Sequence, residues 1–267
     1  MAAEGGIHVG IGGWDFDPWR GTFYPPGLAK PKQLEHLATR LTCTEVNATY
    51  YSSMKPATFA KWHDSVPDGF KFALKASRFC TNRKVLAAGA ESIERFLGQG
   101  LTGLGDKLGP ILWQLANTKK FDAGEIEDFL ALLPASRDGV TLRHAIEPRH
   151  ESFRHPDFIA LLREHGVAAV TAGDSKYPQI ADVTAPFVYA RIMGTEEREE
   201  RGYSSAALDR WAARAKAWAR GATPEDLATV AAAPKLDAAG REVFLYVISG
   251  AKQRNPAAAM ALIERVG

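Results

Sequence analysis

Short apolar runs alternate with longer segments of helical spacing from one end of this chain to the other, and this rhythm limits its fold more than any other feature. The runs are IHVGIGGW (7–14), CTEVNATY (43–50), FKFALKAS (70–77), GPILWQLA (109–116), TLRHAIEPR (141–149), VAAVTAGDS (167–175), FVYARIMG (187–194) and EVFLYVISG (242–250). Between most of them lie amphipathic patterns. KPKQLEHLATRL puts Leu34, Leu37, Ala38 and Leu41 on one face, and SSAALDRWAARAKAWARG does the same with Leu208, Trp211, Ala215 and Trp218. Ser204 or Ser205 is the expected N-cap of the latter, with Gly221 beyond its end. Some eight strands alternating with helices predict an α/β chain folded as a (β/α)8 TIM barrel. No Gly/Ser-rich linker divides residues 1–267, so a single domain is expected.

A doubly wound open sheet is the structural alternative, and it would place a glycine-rich turn directly before a helix. GIGGW has the glycines but runs into DFDPWRGTFYPPG, an aromatic, proline-rich loop. Gly10, Gly12 and Gly13 are therefore assigned to close packing at the start of a barrel.

Strand alternation then selects side chains, because one face meets the helices and the other fills the lumen. With Val46, Phe72, Leu74, Ile111, Trp113, Ile146 and Ile192 facing the helices, the same rule turns Glu45, Asn47, Lys75, Gln114, Glu147, Arg149 and Arg191 inward, and Trp14 with them. Most of these polar groups fall late in their strands. The carboxyl ends of parallel barrel strands share one mouth, where barrel enzymes carry their sites. Mutual pairing, of Glu147 with Lys75 or Arg149 for example, would be the purely structural explanation. Asn47, Lys75, Gln114, Glu147, Arg149 and Arg191 are six late polar positions converging from five strands, more than packing needs, and a ligand site is the preferred reading.

Lys and Arg number 33 against 31 Asp and Glu, a net charge of +2, which excludes the global basic field of a bulk nucleic-acid binder but leaves room for a local patch. Cys43 and Cys80 lack any CxxC spacing and read as buried thiols of a reducing compartment. MAAEGGIHVGIGG has no basic region leading into an apolar run, and no apolar stretch reaches bilayer length. A cytoplasmic protein without membrane partners is expected, of undefined oligomeric state.

GIGGWDFDPWRGTFYPPGL, EVNATYY, FKFALKASR, LGPILWQL and AIEPRHESF, in this order, resemble the YecE-like family of TIM-barrel proteins of unknown function. The resemblance covers nearly the whole chain and extends to YARIMG and YSSAALDRWAARAKAW. It implies a TIM barrel and no agreed reaction. The chain departs from the family pattern at Thr81-Asn82, where Thr-His is usual, and at Met193-Gly194, where a histidine commonly precedes the glycine. A third departure is Ile248-Ser249-Gly250, in place of an Asn pair.

Three chemistries compete at the mouth. An anion site would use Lys75, Arg149 and Arg191 with Arg78, since guanidinium forks suit phosphate or carboxylate; Arg83 and Lys84 read equally as solvated loop charges. Acid–base catalysis would use Glu147, with His150 shuttling protons and Lys75 beside them; structurally, Glu147 would be an arginine partner, and His150, which parity turns out of the barrel, reads more readily as a cap on the following turn. A divalent metal on Glu45, Glu147 and Asp174 is the least favoured, because arginines crowd the site, and no metal ligand is assigned. Trp14 and Tyr50, at strand ends, suit stacking on a sugar or base, whereas Phe23 and Tyr24 suit a folded aromatic loop. The highly charged GTEEREERGY (194–203) is either a lid or a solvated excursion. The expected site thus holds Glu147, His150 and Lys75 as catalytic groups. Trp14, Asn47, Tyr50, Arg78, Gln114, Arg149, Asp174 and Arg191 would contact a small anionic ligand, a phosphorylated sugar or nucleotide. A nucleic-acid-binding or -processing protein and a non-catalytic binding barrel are the alternatives, and the cofactor is left unassigned.

Overall fold

The computed structural model describes residues 5–233 and 240–267; Met1–Glu4, the head of the stretch read above for a leader, lie outside the described residues. Among the described residues, eight parallel strands close into one barrel. They are β1 (Ile7–Gly12), β2 (Cys43–Val46), β3 (Lys71–Lys75), β4 (Leu108–Gln114), β5 (His144–Glu147), β6 (Ala168–Gly173), β7 (Phe187–Ile192) and β8 (Glu242–Val247). Each pairs with its neighbours in sequence, and β1 also pairs with β8, so the sheet has no open edge. The fold is a TIM barrel.

Residues of alternating parity separate into two packed groups, as a sheet with helices outside and side chains inside requires. Val46, Phe72, Leu74, Ile111, Trp113, Ile146 and Ile192 join the layer beneath the helices. Cys43, Ala73, Leu112, Ala145, Val170, Tyr189, Phe244 and Tyr246 fill the lumen. The amino-terminal end of the lumen is stoppered by Glu242, which takes His8 Nε2 at 2.8 Å and the Arg143 guanidinium. Arg143 also lies 4.9 Å from the centre of the Phe244 ring.

The long helix Ser205–Ala219 begins as its sequence suggests, with the Ser204 hydroxyl accepting from Ala207 N, and Gly221 beyond it takes φ +83°. Gln33–Ala38, Pro56–Asp64, Ala90–Leu97, Ala123–Ala131, Pro156–Glu164 and Asn255–Val266 cover the other outer faces. The connection from β6 to β7 departs from the rhythm, with no helix among its described residues. Ile180, Ala181 and Val183 are buried there instead, together with Leu227 from a later loop. Asp182 fixes that loop by accepting from Val230 N and Ala231 N at 2.8 and 2.9 Å. The close-packing role of the first glycines is plain at Gly10, where a Cβ would sit 2.0 Å from Cys43 O.

Candidate functional site

The apolar runs end earlier as strands than their sequence suggests, and this decides how the mouth is built. β2 stops at Val46; Asn47 adopts helical dihedrals (φ −86°, ψ −16°) and Ala48–Tyr51 form one helical turn. Tyr50 is thereby swung over β3, and its ring centre lies 4.3 Å from Lys75 Nζ. β1 stops at Gly12, after which Gly13 turns the chain at φ +71° and Trp14 packs edge-on to Trp62.

A cavity of about 700 Å3 opens at the carboxyl ends of the strands. Of the residues singled out in the sequence, Trp14, Asn47, Tyr50, Lys75, Gln114, Arg149 and Arg191 line it. Its floor is a chain of buried charges. Arg191 is 2% exposed and grips Glu45 with two nitrogens, Nε to Oε2 at 3.0 Å and Nη2 to Oε1 at 3.1 Å. Its third nitrogen, Nη1, donates to Glu147 Oε2. The other Glu147 oxygen takes Arg149 Nε at 2.6 Å. Arg149 continues outward, lying over the Tyr177 ring at 4.1 Å and donating Nη1 to the Tyr177 hydroxyl at 3.1 Å. Tyr189, from the layer below, donates its hydroxyl to Glu45 Oε2 at 2.8 Å.

This network fixes protonation states. Burial alone would raise the Glu147 carboxyl, but Arg191 and Arg149 outweigh it and hold the group below the usual carboxylate range. Burial would likewise pull Arg191 down, yet Glu147 and Glu45 keep it above the ordinary guanidinium value. Lys75 behaves differently. Its ammonium makes no hydrogen bond or ion pair with any described residue, and burial, aided by Arg191 and Arg149 against Glu45 and Glu147, pushes it down to about 8. On the adjacent strand, one inward position beyond Leu112, the register partner of Lys75, the buried Gln114 Oε1 also has no partner among the described residues.

Four expected site residues take other places. Glu147 lies beneath the cavity, fully buried, with both oxygens engaged in ion pairs to Arg149 and Arg191. His150 does not line the cavity. It caps the turn Glu151–Phe153, with Nδ1 accepting from Ser152 N at 3.2 Å and bonding Ser152 Oγ at 2.9 Å. Arg78 is exposed on the turn Arg78–Thr81 with its guanidinium beside Phe79, outside the cavity lining. Asp174, at φ +51°, accepts from Trp211 Nε1 at 2.7 Å and secures the long helix against β6. Glu45 and Glu147 both turn to Arg191 and do not gather with Asp174. Among the described residues no group of three or more His, Cys, Asp or Glu is placed to hold a metal ion.

The charged segment 194–203 is tied back to the end of the chain, and none of its residues lines the cavity. Arg254 Nε donates to Glu197 O at 3.1 Å, and Arg201 pairs with Glu264 at 2.8 Å. The first loop is the folded aromatic plug its composition suggests: Trp19 and Tyr24 are buried, the Tyr24 hydroxyl donates to Trp14 O at 2.6 Å, and Trp19 Nε1 donates to Lys252 O at 3.0 Å. Lys252 is a lining residue the sequence reading missed. It lies five residues past β8, beyond the reach of parity, with Nζ 4.2 Å from the Phe16 ring centre. Tyr177, which steadies Arg149, was missed for the same reason.

The family "Protein of unknown function DUF72" matches residues 8–267. The UPF0759 protein YunF of Bacillus subtilis (strain 168) is 29% identical over 79 residues, so the match spans 29% of this chain and only 27% of YunF. Among solved structures, a DUF72 family protein from Thermotoga maritima MSB8 superposes with a TM-score of 0.72 at 19% identity, covering 97% of this chain and 98% of that one. A DUF72 family protein from Enterococcus faecalis V583 gives 0.68 at 17% identity, covering 99% and 98%. At these identities the likeness is one of fold. The match over residues 8–267 places this chain in the DUF72 family, whose function is unknown.

Proposed function

We propose that this barrel is a small-molecule enzyme that binds an anionic substrate, a carboxylate or phosphate compound, in the mouth cavity and moves protons through Lys75. One observation carries this reading. The charges at the floor, the half-buried Arg149 and the buried Arg191 and Lys75 against Glu45 and Glu147, leave one positive charge over, and Lys75 is the cation with no direct counter-ion. An ammonium on a largely buried side chain without a direct counter-ion is costly unless a ligand of opposite sign completes the site. Arg149 Nη2, with no partner among the described residues, and Lys252 at the rim are the further donors for such a ligand. Glu147, locked in its ionised form, positions the two arginines. Lys75, pushed down to about 8, is the group that exchanges a proton near neutral pH.

The cavity suits a small ligand better than a nucleic-acid strand. Arg83, offered by the third loop to a backbone, spends its guanidinium on Phe79 O and Ser92 Oγ. A thermal-shift panel of phosphate, sugar phosphates, 2-oxo acids and oligonucleotides tests the proposal. Small anions should raise the melting temperature of the parent protein but not of Arg149→Ala. Stabilisation by oligonucleotides alone, falling steeply with salt, would replace it with the nucleic-acid reading.

A further inference from the structure

Lys75 is an unusual lysine by geometry alone. Its side chain is 8% exposed, lines the cavity, and rests its ammonium end against the Tyr50 ring, with no acceptor of its own among the described residues. Lysines that brace a fold normally keep a carboxylate or carbonyl partner. Lys107 in this chain does so, donating to His63 O and Val66 O at 2.9 and 2.8 Å. The two carboxylates nearest the floor are already committed to Arg191 and Arg149. The arrangement denies this amine a direct ion pair, because Glu45 and Glu147 nearby are held by Arg191 and Arg149, and a buried amine left without a partner is one that can act as a nucleophile.

We propose that Lys75 forms an imine with the carbonyl carbon of a small aldehyde or ketone that also bears an anionic group. This rests on the anion reading above and adds the reactive half of the substrate. In the step itself, the lone pair of the neutral amine attacks the carbonyl carbon, and the C=O π pair moves to oxygen. Oxygen takes one amine proton to give the carbinolamine. The C–O bond then breaks as the nitrogen pair forms C=N, and oxygen departs as water carrying both original amine protons. Gln114 Oε1, a buried acceptor with no described partner on the strand beside Lys75, is the group to receive a hydrogen bond from the carbinolamine. Arg149 and Lys252 hold the anionic end. The groups facing Lys75 that set its charge are Glu45, Glu147, Arg149 and Arg191. With the amine pushed down to about 8, roughly a tenth of it is neutral at pH 7, against less than a thousandth for an ordinary lysine.

The test is reductive trapping of the full chain with cyanoborohydride, using pyruvate and pyridoxal 5′-phosphate as probes and peptide mass mapping as the readout. Lys75 should be modified at least tenfold faster than the exposed Lys55 and Lys61, and Lys75→Arg should reduce total labelling to the surface rate. Labelling of Lys75 no faster than of those two lysines by either probe overturns the imine. Thermal shift with inorganic phosphate in parallel locates such a failure. A retained shift leaves the anion site standing without imine chemistry, and loss of both removes the anion site as well.

Discussion

Replacing Lys75 by methionine should make the protein more stable at neutral pH, even though it removes a residue from the heart of the site. The amine falls from 10.5 to about 8 on folding, and at about 1.4 kcal/mol per unit the charged form costs the native state about 3 kcal/mol. Methionine is nearly isosteric and unchanged by pH. It forgoes the contact of the ammonium with the Tyr50 ring, about 1–2 kcal/mol for a side chain this buried. The net gain expected at pH 7 is about 1–2 kcal/mol, a rise in melting temperature of about 3–6 °C for a domain of this size. The sign with pH follows from the depressed value. Below pH 8 both folded and unfolded lysine are charged and the penalty is complete. Between 8 and 10.5 the unfolded chain binds the extra proton, so the parent protein recovers stability as pH rises. The advantage of Lys75→Met should therefore shrink across that interval and be gone by about pH 10.5. Urea denaturation of both proteins at pH 7 and pH 10 measures it. A variant less stable than the parent at pH 7, or a gain independent of pH, would refute the view that Lys75 is held without a counter-ion.

Glu147→Gln removes the carboxylate shared by Arg149 and Arg191, and should destabilise the fold by about 3–5 kcal/mol in denaturant melts, because Arg191 stays buried. Gly173→Ala would put a Cβ 2.3 Å from the Trp211 ring, which Asp174 pins by a hydrogen bond, and should cost about 1–3 kcal/mol in the same assay. Binding of sulfate, followed by calorimetry, should weaken as pH rises through about 8, since the titrating group loses its positive charge there; affinity unchanged between pH 7 and 9 would exclude Lys75 from the anion site. Arg149→Ala should weaken sulfate about tenfold or more at pH 7, the loss of one charge-assisted donor pair.

Inside regular strands the sequence was legible almost residue by residue. Period-two alternation put Glu45, Lys75, Gln114, Glu147 and Arg191 on the lumen side, and the two packed layers bear this out. Alternation gives direction but not partnership. Glu45 and Arg191 are 146 residues apart in sequence, and only closure of the barrel brings them together. Past the strand ends direction fails as well. Tyr50 reaches Lys75 because the chain turns helical after Val46, and His150 turns to the following turn because its Nδ1 can accept from Ser152 N there. Asp174 looked like a mouth carboxylate until the Trp211 indole, 37 residues further on, claimed it.

The Trp19 indole donates to a carbonyl 233 residues later in the chain, and β1, from which its loop springs, completes its pairing only when β8 arrives. The wall that carries Trp14 and the wall that carries Lys252 are thus fastened to each other across the seam where the sheet is joined. Contacts of such separation form late, after most loop entropy has been lost. Until that seam is joined, the charge network spanning β2, β5 and β7 is incomplete and the chamber above it has no far side. A ligand of this cavity would therefore recognise only the closed barrel, and would act as a probe of whether the last strand has docked.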